Sequence, residues 1–119
     1  MILRMWRARA TIPRAGDYLR HVTTVVFPKI RAIEGHWGEC LLRRDVEDGV
    51  ELVVLTLWDS MAAVRRFTGP EPNKAAVEPE ARAVLTSFDE FVTHFEVVDG
   101  CDAAVSKLQH TPCIKSNGA

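Results

Sequence analysis

The sequence predicts one α+β domain whose elements follow the order β-α-β-β-α-β and whose four strands form an antiparallel sheet. Three observations predict this fold class. Several segments alternate apolar and polar residues with the period of a half-buried strand, the segments between them carry apolar residues at helical spacing, and 119 residues suffice for one core. We expect the domain to span residues 1–98 and a loosely attached tail, which has no sustained period, to cover residues 99–119.

The first strand is predicted over residues 2–12, where small or apolar residues alternate with arginine. Pro13 follows this run, and we expect it to end the strand. Because an arginine stands beside it on the same face, Trp6 is expected to be partly exposed. Alternation assigns the residues to two faces, one with Arg4, Trp6, Ala8 and Ala10, the other with Leu3, Met5, Arg7 and Arg9.

A first helix is predicted from Asp17, as its N-cap, to about Glu34, since apolar residues recur there at spacings of three and four. Two features oppose a regular helix. β-Branched residues surround Thr24, and Pro28 has no N–H to donate to the Thr24 carbonyl. We therefore expect a kink near Thr24, with Gly35 as the C-terminal cap.

A hairpin is predicted next, with strands over residues 36–44 and 50–58 and a turn that contains Asp48 and Gly49. The alternation places Trp58 on the same face as Thr56, Val54 and Leu52.

The second helical region is predicted to be broken. Ser60 is expected to cap a short helix over residues 61–67, and Pro79 to begin a last helix over residues 80–87. Residues 88–97 alternate again and predict the last strand. Its faces would carry Phe91, Thr93, Phe95 and Val97 on one side, and Val92, His94 and Glu96 on the other.

A four-stranded sheet with helices on one face leaves its other face uncovered. On this chain that face would carry Met5, Leu55 and Leu57. An apolar face of this kind needs a partner, and the simplest partner is a second copy placed by a two-fold axis. The sequence therefore predicts a homodimer.

Charge and hydropathy exclude several classes of function. No apolar run approaches the ~18 residues of a membrane span, and the first ten residues carry three arginines, so neither a membrane span nor a signal peptide is predicted. Residues 1–44 hold nine basic and three acidic residues, while residues 45–119 hold six and thirteen. A basic face for nucleic acid is one interpretation. We favour the other, in which the two halves interleave in one sheet and neutralise each other.

The cysteines give no sign of a structural site. Cys40, Cys101 and Cys113 are odd in number and include no C-x-x-C pair, so neither a disulfide framework nor a zinc site is predicted. We expect a cytoplasmic protein with free thiols, a Cys101–Cys113 bridge being the alternative. Cys40 is expected to be a small buried residue.

Several short motifs resemble the antibiotic biosynthesis monooxygenase family, a group of dimeric α/β barrels with ferredoxin-like subunits. The resemblance covers about residues 2–98, and the Trp-acid-Ser step at the end of the second hairpin strand is its most recognisable piece. It is carried by residues 52–60 with Ala63, Val64 and Phe67, by residues 28–33 with Gly35 and Gly38, by residues 79–82, and by residues 94–97.

The resemblance implies a ligand cavity between sheet and helices and, in some members, cofactor-free oxidation of phenolic polyketide rings by O2. Trp58 matches the tryptophan that lines the cavity in those oxygenases. The asparagine usually placed four residues before it is Val54 here, and the tyrosine six residues after it is Val64. The haem-degrading branch of the superfamily has its Asn, Trp and His at positions that align near Ala8, Phe67 and Val77, so no haem ligand and no cofactor is expected.

The predicted site therefore consists of side chains on the helix-facing side of the sheet and on the second helical region. His94 is the candidate base, because a half-buried histidine can have its pKa moved into the working range. Alternation does not decide whether it faces the cavity or the dimer interface. Each candidate could instead be an ordinary core residue, and His21 and His36 are expected at the surface. The candidates are Trp58 and His94 for catalysis, and Trp6, Val54, Thr56 and Phe67 for binding the substrate.

Two hypotheses for function remain after a third is set aside. The first is a monooxygenase without metal or flavin that oxidises a small planar phenolic or quinol-like compound with O2. The second is a dimer that binds a small hydrophobic or aromatic molecule without turnover. An RNA-binding module shares this element order, but residues 50–57 lack the aromatic residues that such modules carry on their central strands.

Overall fold

The computed structural model describes residues 1–100; the sequence-based expectations for Cys101, Cys113 and the rest of the tail lie outside the described residues. No helix among residues 1–100 combines the length and the apolar character needed to cross a membrane. The elements are β1 (Ile2–Ala10), α1 (Ile12–His21), a π-helical segment (Val22–Val26), α2 (Phe27–Arg31), β2 (His36–Val46), β3 (Gly49–Trp58), α3 (Met61–Thr68), α4 (Pro79–Val84), β4 (Ser87–Phe88) and β5 (Thr93–Glu96).

The strands form one antiparallel sheet in the order β2, β3, β1, with β4 and β5 both paired to the free edge of β1. β1 and β3 pair along their whole length, from Ile2 opposite Trp58 to Ala10 opposite Val50. The helices cover one face, and the core lies between. Trp58, Leu52 and Val50 are fully buried there. The predicted α+β fold class and the predicted hairpin are confirmed.

The first helix begins six residues earlier than predicted. Thr11 is its N-cap, and its carbonyl accepts hydrogen bonds from the N–H groups of Arg14 and Ala15 at 3.1 and 2.9 Å. Pro13 therefore lies in the first helical turn instead of ending the strand, because its fixed φ suits the helix and its missing N–H would have no partner there. Asp17 is inside the helix and caps nothing.

The irregularity expected near Thr24 is a π-helical turn over Val22–Val26. Pro28 provides no N–H to the carbonyl one turn before it, and the widened turn accommodates its ring. The hydroxyl of Thr24 donates to the Arg20 carbonyl at 2.6 Å, which occupies a second backbone acceptor in the same turn. The helix thus continues through α2, but with a changed phase.

The last strand is broken in two, contrary to the single strand predicted over residues 88–97. Residues 89–92 form a gap between β4 and β5 and lie opposite residues 6–7 of β1. Four residues of the last strand thus face two residues of β1, so the gap contains two additional residues. Asp89 N–H still donates to the Arg7 carbonyl of β1 at 2.9 Å. Glu90 and Val92 pair instead with the segment before α4, where Ala75 N–H donates to Glu90 O at 2.9 Å and Val92 N–H to Asn73 O at 2.8 Å. The sheet therefore has five strands.

The face of the sheet away from the helices carries apolar side chains that no part of residues 1–100 covers. Leu42 and Phe95 are each 47% exposed on it. Cys40 lies on the same face opposite Leu55 and is exposed, so the expectation of a buried cysteine was wrong. Its burial was predicted from residue type alone, which does not distinguish the two faces of a strand.

Candidate functional site

A cavity of about 70 Å³ lies between the helix-facing side of the sheet and the first helix. Its wall is mostly apolar. Side chains of β1 and β3 form the sheet side of the wall. Side chains of the π-helical segment and of the residues just before α4 form the opposite side. Four predicted binding residues line the cavity, namely Trp6, Val54, Thr56 and Phe67.

Aromatic rings form one side of this wall. Trp6 is held by its indole N–H, which donates to the Asp89 carbonyl at 2.7 Å, within the gap of the last strand. Its ring lies 6.2 Å from that of Tyr18 and 6.0 Å from that of Phe88. Because two rings and a hydrogen bond fix its orientation, Trp6 presents a constant flat surface to the cavity.

Tyr18 lines the cavity although the sequence analysis did not select it. It is 3% exposed, and burial raises the pKa of its phenol well above the ordinary value, so the hydroxyl keeps its proton. This hydroxyl makes no hydrogen bond to another residue among 1–100. It is therefore available to a ligand.

Trp58, in contrast, lies behind the wall rather than in it. It is fully buried, and its indole N–H donates to Thr56 Oγ1 at 2.8 Å. Its ring stacks on Phe67, with centroids 5.9 Å apart and planes 16° from parallel. Trp58 thus supports two residues that do line the cavity. The Thr56 hydroxyl accepts the bond from Trp58 with one of its two lone pairs, so its hydrogen is left to point into the cavity.

Arg4 is a further cavity residue that the sequence analysis did not select, and it is 6% exposed. Its Nη1 donates to the Pro72 carbonyl at 2.6 Å and lies 3.1 Å from His94 Nε2. The guanidinium carbon is 5.8 Å from the centre of the Phe67 ring. Burial lowers the pKa of Arg4 to about 10, so the guanidinium remains charged at neutral pH.

His94 faces the helix side of the sheet, directly opposite Arg4, and this answers the question that alternation left open. It does not reach the cavity wall. Because an arginine has only donors, Nε2 of His94 must accept the hydrogen bond from Arg4 and carries no proton. Burial first, and the neighbouring Arg4 charge second, lower the pKa of His94. The imidazole is thus neutral and holds Arg4 in place.

His21 lies in the cavity wall and not at the surface, where it was expected; its side chain is 12% exposed. Its Nε2 lies 3.0 Å from Glu78 Oε1. The other oxygen of Glu78 accepts a hydrogen bond from Lys29 Nζ at 2.7 Å, and this bond holds the pKa of the carboxyl below its usual range. An ionised carboxylate therefore lies beside the His21 ring at the edge of the cavity.

His36 was also expected at the surface, but its side chain is only 6% exposed. Its Nε2 lies 3.1 Å from Glu39 Oε1, and its ring meets Trp58 edge to face at 5.4 Å. Burial lowers the pKa of this histidine. His36 does not line the cavity and belongs to the support behind Trp58.

All of the polar groups that reach the cavity can donate a hydrogen bond. They are the guanidinium of Arg4 and the hydroxyls of Tyr18 and Thr56, while His21 can accept or donate. Apolar and aromatic side chains surround them. Such a site can hold a flat apolar molecule and bind an oxygen atom of that molecule, more strongly when the oxygen is negatively charged.

Solved structures with the same fold include three informative proteins. A Caulobacter crescentus CB15 protein assigned to the antibiotic biosynthesis monooxygenases matches with a TM-score of 0.64 and 19% identity, over 82% of this chain and 90% of that chain. SnoaB from Streptomyces nogalater, a cofactor-independent oxygenase, matches with a TM-score of 0.56 and 17% identity, over 84% of this chain and 94% of that chain. MhuD from Mycobacterium tuberculosis, a heme-degrader with two hemes in its active site, matches with a TM-score of 0.54 and 21% identity, over 86% of this chain and 100% of that chain.

At the level of sequence, neither a protein-family model nor a curated protein matches the chain. The structural likenesses establish the fold. This chain has the ferredoxin-like fold of the antibiotic biosynthesis monooxygenase structures, and the resemblance drawn from its motifs is confirmed at that level.

The cavity does not fit a haem. Pockets for drug-sized ligands measure about 300–1,000 Å³, whereas this one measures about 70 Å³. Val77, which lies near the position of the iron ligand in the haem-degrading branch, is an apolar side chain of the wall. Among residues 1–100, no group of three potential metal ligands lies together.

Proposed function

We propose that the protein is a cofactor-independent monooxygenase that oxidises a small planar phenolic or quinol-like compound with O2. The observation that carries this proposal is the cavity itself. It has aromatic walls, hydrogen-bond donors suited to a phenolic oxygen, and a histidine beside a carboxylate at its edge. The same fold in SnoaB, a cofactor-independent oxygenase, gives further support.

The reaction requires a base that removes a proton from the bound compound. His94 was the base expected from the sequence, but its Nε2 lone pair is directed at Arg4. His21 is the better candidate, because it lines the cavity and the ionised Glu78 stabilises the imidazolium that would form. In this proposal His21 accepts the proton, and His94 positions Arg4.

The proposed chemistry balances without a cofactor. A CH₂ group, present in an anthrone and in the keto tautomer of a phenol or naphthol, loses a proton to His21, and the resulting anion transfers one electron to O2. The radical pair combines to a peroxide anion, which takes the proton back from His21. The hydroperoxide then loses water to leave a carbonyl, so CH₂ and O2 give C=O and H₂O. The apolar wall excludes water, and the electrostatic environment of the anion is then set by the protein.

The volume of the cavity limits the substrate. An engineered cavity of about 150 Å³ takes up benzene, and this cavity measures about 70 Å³. A compound with a single ring therefore fits after a modest shift of the wall, whereas a compound with three fused rings would need a large one. We expect single-ring compounds to be oxidised faster than anthrones.

Oxygen uptake tests the proposal, with single-ring phenols, naphthols and anthrones as the panel. His21→Gln should reduce uptake at least about 100-fold, since a general base typically contributes ~10²–10⁴-fold. His36→Gln is the matched control, because His36 also lies beside a carboxylate but does not line the cavity. Its Nε2 is 3.1 Å from Glu39, and the Nε2 of His21 is 3.0 Å from Glu78. It should leave uptake unchanged.

A non-catalytic dimer that binds a small molecule is the second candidate. It is favoured by Val54 and Val64, which stand where the related oxygenases are expected to have polar residues. If no compound in the panel consumes more O2 with the wild type than in buffer, while one of them binds, this second function is the correct one. In either case we propose that two copies pair through the uncovered sheet face that exposes Leu42 and Phe95.

A further inference from the structure

We infer that the ligand of this cavity carries a carboxylate, which the free edge of Arg4 binds. The inference deepens the proposed function by naming the substrate class as a small phenolic acid, and it rests on that proposal only for the phenolic part. It concerns the acidic group of the ligand and the residue that recognises it.

The first argument is the environment of Arg4. A guanidinium that is 6% exposed would ordinarily be paired with an acid, since a buried charge without a counterion is costly. Among residues 1–100, no carboxylate lies within ion-pair distance of Arg4. Its described contacts are the neutral Pro72 carbonyl, the neutral His94 ring and the face of Phe67. The positive charge is therefore uncompensated in this part of the chain.

The second argument is the direction of these contacts. Both hydrogen bonds of Arg4 use Nη1, so Nε and Nη2 donate to no described residue. These two nitrogens form the side edge of the guanidinium, whose parallel N–H bonds match the two oxygens of a carboxylate. Pro72 and His94 thus fix the group while its carboxylate-binding edge is left open.

The third argument is the position of the edge. Arg4 lines the cavity, and Thr56, its partner across the β1–β3 ladder, provides a hydroxyl beside it. Phe67 closes the same end with an aromatic face. A ligand carboxylate bound here would satisfy the buried charge, and the ring attached to it would extend along Trp6 and Val54.

Anaerobic titration calorimetry tests the inference with 4-hydroxybenzoate and 4-hydroxybenzamide. The two compounds have the same size, but only the acid is charged. We expect the acid to bind the wild type at least about 30-fold more tightly, since loss of one partner from a buried charged pair costs about 2 kcal/mol or more. Equal affinities, or no binding of the acid, would overturn the inference without any variant.

Two variants locate the charge. Arg4→Met should lose the preference for the acid, and Arg4→Lys should keep only part of it, since lysine has the charge but not the fork. Arg7→Met is the matched control, because Arg7 is on the same strand but on the opposite face, with 55% of its side chain exposed. It should bind the acid as the wild type does; preference retained in Arg4→Met, or lost in Arg7→Met, contradicts the assignment.

The outcome separates this inference from the proposed function. If the acid binds through Arg4 but no compound is oxidised, the carboxylate site stands and the oxygenase proposal fails. If neutral phenols are oxidised and the acid has no advantage, the oxygenase proposal stands and the carboxylate site fails.

Discussion

The hydrogen bond from Trp58 to Thr56 gives a quantitative prediction about the support behind the cavity. Thr56→Val keeps the shape of the side chain but removes the acceptor of the Trp58 indole N–H. That group is fully buried, and the original bond measures 2.8 Å. An unsatisfied buried donor costs about 1–3 kcal/mol, so the variant should lose this amount of unfolding free energy.

A double-mutant cycle isolates that bond from the effect on packing. Trp58→Phe removes the donor and leaves a void beside Phe67, so it destabilises by itself. In this background Thr56→Val should cost about zero, because no donor remains to be left unsatisfied. The predicted coupling energy between Thr56 and Trp58 is therefore about 1–3 kcal/mol.

Urea unfolding followed by far-ultraviolet circular dichroism measures each corner of the cycle without relying on tryptophan fluorescence. Thr56→Ser is the control, since it keeps the hydroxyl and should lose less stability than Thr56→Val. If Thr56→Val costs the same in both backgrounds, the hydrogen bond does not stabilise the fold and Trp58 acts only through packing.

Three further predictions concern pH, haem and assembly. The folded pKa values of His94 and His36 lie below that of an unfolded histidine, so the unfolded chain binds more protons and unfolding free energy should fall as pH falls below about 6.5. Urea titrations at several pH values should show a shallower slope of unfolding free energy against pH for His94→Gln than for the wild type. An unchanged slope would contradict the environment described for His94. Haemin should give no stoichiometric Soret shift, because Val77 and the small cavity offer no ligand and no room; a histidine-ligated spectrum would refute this. Light scattering at micromolar concentration should report twice the mass of one 13.3 kDa chain, since a stable interface buries about 800 Å² per partner. A monomer would contradict the paired sheet faces.

Alternation predicted the strands well because it depends on a local property, the opposite direction of successive side chains. It placed Arg4 and Trp6 on one face and His94 on the face opposite Phe95, as the structure has them. It could not give the break in the last strand. That break depends on hydrogen bonds of Glu90 and Val92 to the segment before α4, and a local period contains no information about such bonds.

Tyr18 and His21 were missed because the first helix was predicted to begin at Asp17 and because only its apolar residues were used to define its inward face. The helix begins at Ile12, and both side chains lie in the cavity wall together with Val22. Pro13 was the available signal, since proline is frequent in a first helical turn.

The burial of Arg4 could not be predicted from the strand pattern. Alternation predicts on which face of the sheet a residue lies but not how deeply it is buried there. Arg4 is buried by the helices and by the segment that contains Pro72. An arginine between apolar residues on a strand is usually at a surface. The distinction between a surface charge and a site charge thus required the tertiary structure.

The two additional residues in the gap of the last strand have a consequence for how its length can vary. Because side chains alternate, an insertion of two leaves His94 on the helix side and Phe95 on the outer face, as observed. An insertion or deletion of one residue between Phe88 and Thr93 would exchange them. The residue that orients Arg4 would then move to the outer face, and an apolar ring would be placed against a buried cation. This gap therefore tolerates changes of length only in steps of two, and the binding face and the outer face of the sheet are linked through it.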